Sequence, residues 1–221
     1  MHSAVRPFTF AIGGPTCAGK STLAQAMLRA LGPARAVILP LDSYYRDLSA
    51  LEPAARAACN FDEPAAMDWP LFIEHLDALR SGRPVPIPVY DFTLHTRLRQ
   101  TMLVQPRDFI IVEGLLALHL EDVRNRCDLK MYVDAGDETS FSRRRERDVA
   151  ERGRSPESIR RQYRESVEPM ARRYVIPSRA FADLVLDGNA DPRISVETIL
   201  KRMAELLPLD EGTVHPSRRP V

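Results

Sequence analysis

Eight consecutive residues, Gly14-Pro15-Thr16-Cys17-Ala18-Gly19-Lys20-Ser21, follow the spacing G-x-x-x-x-G-K-[ST]. Glycines at those two places let backbone N–H groups turn inward around phosphate oxygens, and a helix beginning at the lysine adds the positive potential of its N-terminus. Lys20 is then expected to reach the β- and γ-phosphates of a nucleoside triphosphate, and the Ser21 hydroxyl to ligate Mg²⁺. Together with Thr22, the loop Gly14 to Ser21 forms the expected ATP segment. The plainer reading is a glycine-rich turn that caps a helix. The apolar run Phe8 to Ile12 before the loop and the helical spacing of Leu23, Ala24, Met27, Leu28 and Leu31 after it favour the phosphate site. Of the 31 basic residues only Lys20, Lys130 and Lys201 are lysine. A lysine inside the motif of so arginine-rich a chain therefore points to a need for a slim point charge.

Carboxylates and arginines elsewhere fit the same chemistry. The apolar run Phe109-Ile110-Ile111-Val112 ends at Glu113, which at the carboxyl edge of a parallel sheet could hold Mg²⁺ through water. Leu39-Pro40-Leu41 leads to Asp42, which could accept the proton of an attacking hydroxyl. Between positions 143 and 154 six arginines stand against three acids, on a helix running into a loop with Gly153. Arg144 and Arg147 share a face of it. Such a cluster suits a lid over about 137–155 that closes on a triphosphate. The alternative is a solvated helix laced by pairs such as Arg144–Asp148.

Positioning these groups requires a sheet. Apolar runs at 8–12, 37–39, 109–112, 129–133 and 184–186 alternate with helical patterns at about 20–31, 70–80, 137–152, 156–174 and 193–207. That alternation predicts an α/β fold, a parallel sheet with helices on both faces, in one domain over 1–207 followed by a surface tail at 208–221. One segment departs from it. Prolines at 84, 86 and 88 would leave one lateral edge of a strand without N–H donors, while Val85, Ile87 and Val89 could pair with Thr101 to Val104. The segment at about 83–105 is therefore expected as an edge hairpin apart from the main sheet. At 221 residues, 44% apolar and net charge +1, the chain can bury a core and does not read as a nucleic-acid coat protein. It has no apolar run long enough to cross a membrane and no secretory signal pattern, so a cytoplasmic location is expected. The scattered Cys17, Cys59 and Cys127 read as reduced thiols.

From residue 8 to residue 207 the chain resembles the uridine kinase (uridine–cytidine kinase) family of P-loop kinases. The likeness is carried by the phosphate loop, Leu41-Asp42-Ser43-Tyr44-Tyr45, Asn60-Phe61-Asp62, Ile87-Pro88-Val89-Tyr90-Asp91-Phe92 with His95, and Val112-Glu113-Gly114. Further on come Arg147-Asp148, Glu151-Arg152-Gly153-Arg154, Gln162-Tyr163 and Ala182-Asp183. The resemblance implies a cytosolic homotetramer of pyrimidine salvage that transfers phosphate from ATP, or GTP, with Mg²⁺ to uridine or cytidine. It implies that Asp42 is the base, that Tyr45 belongs to the substrate site, that Asp62 binds the ribose hydroxyls, and that Tyr90 and His95 contact the pyrimidine. Arg144, Arg154 and Gln162 would complete the nucleoside pocket, Arg147 and Arg152 the phosphate clamp, and Asp191 the adenine end. Elementary chemistry agrees in part. A carboxylate such as Asp62 can accept from two adjacent hydroxyls, and a histidine can meet either the O4 of uracil or the N4 of cytosine, depending on its tautomer. The chain departs from the family where Glu63 follows Asp62, and in Ala65-Ala66-Met67-Asp68-Trp69.

Three other readings start from the same loop. A GTPase switch lacks the [NT]-K-x-D guanine motif here, and a binding-only P-loop protein is disfavoured by the presence of Lys20, Ser21, Asp42 and Glu113 together. A phosphoribulokinase-like or pantothenate-kinase-like enzyme is the nearer alternative within kinases.

Overall fold

The strand Phe8–Gly13 (β1) is buried at every position after the first, as an apolar run must be in a sheet covered on both faces. The structure, a computed structural model, describes residues 6–207, and the tail expected at 208–221 lies outside them. After β1 come α1 (Lys20–Leu31), β2 (Ala36–Pro40), α2 (Pro53–Ala57), α3 (Trp69–Arg80), β3 (Val85–Asp91), β4 (Thr96–Val104) and β5 (Phe109–Glu113). The second half contains α4 (Glu121–Arg124), β6 (Leu129–Asp134), α5 (Asp137–Arg152), α6 (Pro156–Gln162), α7 (Glu168–Met170), β7 (Leu184–Asp187) and α8 (Pro192–Leu206). Five strands form one parallel sheet in the order β2-β5-β1-β6-β7.

Alternate residues of the strands face opposite layers. Phe10, Ile12, Ile111 and Met131 pack with Met27 of α1 and Ile199 of α8. Ala11, Ile110 and Val112 pack the other way, with Phe72, Leu76 and Leu79 of α3. Within that second layer the Tyr44 hydroxyl and His75 Nδ1 lie 3.0 Å apart, so a buried polar pair is satisfied internally. The register brings Ile12 beside Glu113 and Glu113 beside Pro40. The chain leaving β1, the chain leaving β2 and the last side chain of β5 therefore share one edge.

β3 and β4 form a separate two-stranded antiparallel sheet, as the proline spacing predicts. Val85 pairs with Val104 and Ile87 with Met102, but Val89 falls in a register shift between Pro88 and Tyr90 and has no partner residue. The bulge turns the strand at the point where Tyr90 leaves for the site. The expected helix over 156–174 is also not uniform. After α6 the backbone winds into π turns at Tyr163–Val167 and Ala171–Val175, on either side of α7. Pro169 has no N–H to give to the preceding turn, and the wider winding flanks it on both sides.

Gly188, just past β7, presses against the phosphate loop: a Cβ there would lie 1.9 Å from the Ala18 carbonyl oxygen, a backbone atom. Gly188→Ala should therefore destabilise the protein by about 1–3 kcal/mol, read as a lower denaturant midpoint. An unchanged midpoint would show that the β7 exit and the loop can separate freely.

Candidate active site

The phosphate loop closes over the end of β1. Gly14 adopts φ +135°, and a Cβ on it would sit 2.2 Å from the Val133 carbonyl oxygen, so no other residue fits. Gly19, at φ +105°, starts α1. Pro15 has no N–H to offer a phosphate; its carbonyl instead accepts a 2.6 Å hydrogen bond from Lys20 Nζ. Ala18 is buried beneath the loop, whereas Thr16, Cys17, Gly19, Lys20, Ser21 and Thr22 line the cleft above it.

That cleft has a volume of about 470 Å³ and runs from the loop, across Asp42 and Glu113, to the hairpin. It is of the size that holds small ligands. Ser21 Oγ donates to Glu113 Oε2 at 3.2 Å. Among the described residues no cluster of three or more His, Cys, Asp or Glu side chains is placed to hold a metal. A hydroxyl and a single carboxylate, with phosphate and water oxygens to complete the shell, are the donors Mg²⁺ takes. The residues present therefore fit that ion. Burial pushes Lys20 below its ordinary value, and the charges of Glu113 and Asp42 resist the shift. Burial pushes Asp42 up, against the pull of Lys20, Arg147 and Arg152, and it pushes Glu113 up with the Asp42 charge adding to the effect.

The far end of the cleft is aromatic. Phe61 stacks on His95 with ring centres 4.9 Å apart and planes 15° from parallel. Tyr45 meets Phe61 edge-on at 5.6 Å and Tyr90 at 5.2 Å. Phe92 packs against Tyr90, with the Arg152 guanidinium 5.5 Å above its ring. His95 holds the left-handed backbone, φ +52°, in the β3–β4 turn. Burial, then the charges of Arg154 and Arg152, lower its pKa, so the ring is neutral at pH 7 and offers one donor and one acceptor. The Tyr90 hydroxyl is buried with no hydrogen-bond partner among the described residues. Asp62 sits beside this box, its own pKa raised by burial; its N–H donates to Asn60 Oδ1 at 3.1 Å, and the Ser166 hydroxyl bridges Asn60 at 2.8 Å and Asp62 at 3.5 Å.

The arginines reach the cleft from α5, whose buried residues are Ser140, Arg144 and Asp148, a polar stripe at helical spacing. Arg144 donates to Thr16 Oγ1 at 3.0 Å and to Gln162 Oε1 at 3.3 Å, and Arg154 donates to the same Gln162 oxygen at 2.8 Å. Arg147, Arg152 and Arg154 line the cleft with them. Arg143, outside the expected set, ties the helix to Gly188 and Asn189.

The structure thus gathers Lys20, Ser21, Asp42, Tyr45, Asp62, Tyr90, His95, Glu113, Arg144, Arg147, Arg152, Arg154 and Gln162 around one cleft. Of the residues expected outside the phosphate loop, Asp191 is not among those lining the cleft. Ala190 and Pro192 line the cleft, but the Asp191 carboxylate caps α8 through Arg193 N at 2.9 Å and pairs with the Arg193 side chain at 2.6 Å. Its carboxylate is thus engaged by a helix N-terminus and an adjacent guanidinium at the border of the cleft. Sequence reasoning missed Phe61 and Phe92 as walls, although both stand inside quoted motifs. It also missed Asn60 and Ser166 as supports of Asp62. The altered segment after Asp62 is absorbed structurally: Met67 is buried and bridges to Tyr45, and Asp68 caps α3 and pairs with Arg97 at 3.1 Å.

Comparison with known proteins places the chain in a family and a fold. The Phosphoribulokinase / Uridine kinase family matches residues 9–195. A uridine kinase of Deinococcus deserti is 44% identical over 198 residues, which span 89% of this chain and 96% of that protein. A uridine kinase of Chloroflexus aurantiacus is 38% identical over 201 residues, spanning 91% and 96%. Phosphoribulokinase from Rhodobacter spheroides shares the fold at 14% identity, with a TM-score of 0.62 over 86% of this chain and 74% of that one.

Asp42→Asn separates chemistry from folding. The folded state raises the Asp42 pKa above the ordinary 3.8, so stability falls as pH rises past 3.8, where the unfolded chain ionises first, and the penalty is complete above the folded-state value. The Asn variant should melt higher than wild type at pH 7, while kcat falls about 10²-fold or more, the usual scale for a lost base. In wild type, kcat/KM should fall as pH drops through a pKa above 3.8. Near-normal turnover in the variant would remove Asp42 from proton transfer.

Proposed function

The chain belongs to the Phosphoribulokinase / Uridine kinase family, and on that premise we propose that it phosphorylates the 5′-hydroxyl of uridine or cytidine, with ATP as donor and Mg²⁺ as cofactor. The observation that carries the acceptor is the box of Tyr45, Phe61, Tyr90 and His95 beside Asp62, one step along the cleft from Asp42. Flat aromatic walls with an unpartnered hydroxyl and a neutral imidazole suit a planar base with polar edges. The neighbouring carboxylate suits a pair of ribose hydroxyls. GTP is an alternative donor, since no residue in the cleft is assigned to the donor base.

In this reading Lys20 neutralises the β- and γ-phosphates, and Asp42 accepts the proton of the 5′-hydroxyl as its oxygen bonds to the γ-phosphorus. The bond from that phosphorus to the β-phosphate oxygen breaks, and ADP leaves. Arg147 and Arg152 stabilise charge on the transferring group. Mg²⁺, held by Ser21 and Glu113, would draw charge from the phosphate oxygens. Arg144, Arg154 and Gln162 bound the nucleoside. The same reading makes the protein a cytosolic homotetramer of pyrimidine salvage; Leu94, Met102 and Leu103, exposed on the hairpin, are side chains such an assembly would cover. An acceptor carrying its own phosphate finds support in Arg144 and Arg154, but the aromatic box gives it no partner.

His95→Ala should lower kcat/KM for uridine and cytidine about ten- to a hundredfold, the cost of one lost hydrogen bond to a buried polar edge, and raise KM for the nucleoside far more than for ATP. Asp62→Ala should do the same and also narrow the preference for ribose over deoxyribose. Unchanged values for both nucleosides would take the hairpin out of the acceptor site.

A further inference from the structure

Asp148 has no solvent exposure and meets four arginines: Arg147 at 2.9 Å, Arg154 at 3.4 Å, Arg152 at 3.6 Å and Arg144 at 3.7 Å. Arg147 grips one of its oxygens through both Nε and Nη2, at 3.0 and 2.9 Å. Its backbone carbonyl accepts from Gly153 N and, at 3.1 Å, from Arg154 N. One residue thus ends α5, turns the chain through Gly153 at φ +60° and fixes the loop arginine beside the helical ones. These arginines serve two halves of the cleft. The charges of Arg147 and Arg152 act on Asp42, while Arg144 and Arg154 converge on Gln162, and Arg144 alone reaches Thr16 of the phosphate loop.

Four guanidiniums around a single carboxylate leave an excess of positive charge. Four without it would repel one another and swing apart, and α5 has no apolar stripe to hold it in register, since its buried residues are Ser140, Arg144 and Asp148. We infer that Asp148 is a positioning residue for phosphoryl transfer: a buried anion that holds the phosphate-facing and acceptor-facing arginines in one geometry. The inference rests on the kinase reading above, though not on which hydroxyl accepts.

Positioning and mere support of the fold leave different kinetic signatures. Asp148→Asn keeps the shape and removes the charge. It should lower kcat about tenfold or more, because interactions realised in the transition state demand fixed geometry, and should raise KM for uridine about fivefold or more through Arg144, Arg154 and Gln162. Its ATP dissociation constant, measured by calorimetry with one site per chain, should be unchanged within about twofold or tighter, with a steeper salt dependence, since the phosphates now face one more unbalanced positive charge. A lower melting temperature with both KM values and kcat per binding-competent chain unchanged would reduce Asp148 to a structural role. ATP binding weakened about tenfold or more would also overturn the inference, because the arginines would then need the carboxylate merely to bind. Should the Asn variant not fold, Asp148→Glu retains the charge and displaces it by one methylene. It should fold and lose about fivefold or more of kcat, and wild-type kcat there would contradict the inference. If wild-type protein fails to phosphorylate uridine, the acceptor assignment falls instead, and the ATP-binding and salt-dependence measurements still decide the role of Asp148.

Discussion

Ile12, Pro40 and Glu113 lie side by side at the carboxyl ends of three parallel strands, and that row forces opposite charges into one corner. The chain after β1 carries Lys20, the chain after β2 carries Asp42, and β5 ends in Glu113 itself. Each of these groups is shifted toward its neutral form by burial; Lys20 is opposed in this by both carboxylates and each carboxylate by Lys20, while the Asp42 charge pushes Glu113 further the same way. A lone buried lysine or carboxylate would lose its charge readily, and the opposite charge of Lys20 beside the carboxylates works against that loss. The glycines follow from the same crowding. Gly14 clears the Val133 carbonyl, Gly188 clears Ala18, and Gly114 packs where a Cβ would lie 2.5 Å from that of Leu41.

A second region of the molecule is organised by charge rather than by apolar burial. α1 and α3 are held by Leu23, Met27, Phe72, Leu76 and Leu79, which fill the two layers beside the sheet. α5 presents Ser140, Arg144 and Asp148 inward instead. Ion pairs of this kind are directional, so they set the arginine geometry in a way that a greasy face would not. Among the described residues Arg144 Nε, 3.7 Å from Asp148, makes no hydrogen bond, and on the hairpin neither does the Tyr90 hydroxyl. Unpaired polar atoms at the border of a cleft are the natural counterparts of a polar ligand.

Much of this is legible in the sequence alone. The phosphate loop is readable because its chemistry is local: glycine for close approach and lysine for charge, at fixed spacing in consecutive residues. The edge hairpin is readable because proline removes a donor wherever it stands, and period two then names the edge. What stayed hidden depends on places where the chain turns. Asp148 looks like one half of an i,i+4 pair on a solvated helix, and only the turn at Gly153 brings Arg154 back onto it. Ser166 reaches Asp62 from a π turn beside Pro169, and no helical periodicity anticipates a wider winding. Asp191 went the other way. Its neighbours enter the cleft, but a helix N-terminus and Arg193 claim its carboxylate.

Acceptor chemistry is here the property of an aromatic box joined to a charged corner. The most direct measurement is a coupled assay of ADP release by wild-type protein with Mg·ATP, run in parallel with uridine, cytidine, their deoxy forms, ribulose 5-phosphate and pantothenate. The kcat/KM should be at least about a hundredfold higher for uridine or cytidine than for either phosphate- or carboxylate-bearing acceptor, the discrimination expected when buried polar groups are left unpaired. Turnover with ribulose 5-phosphate or pantothenate that matches or exceeds that with the nucleosides would contradict it.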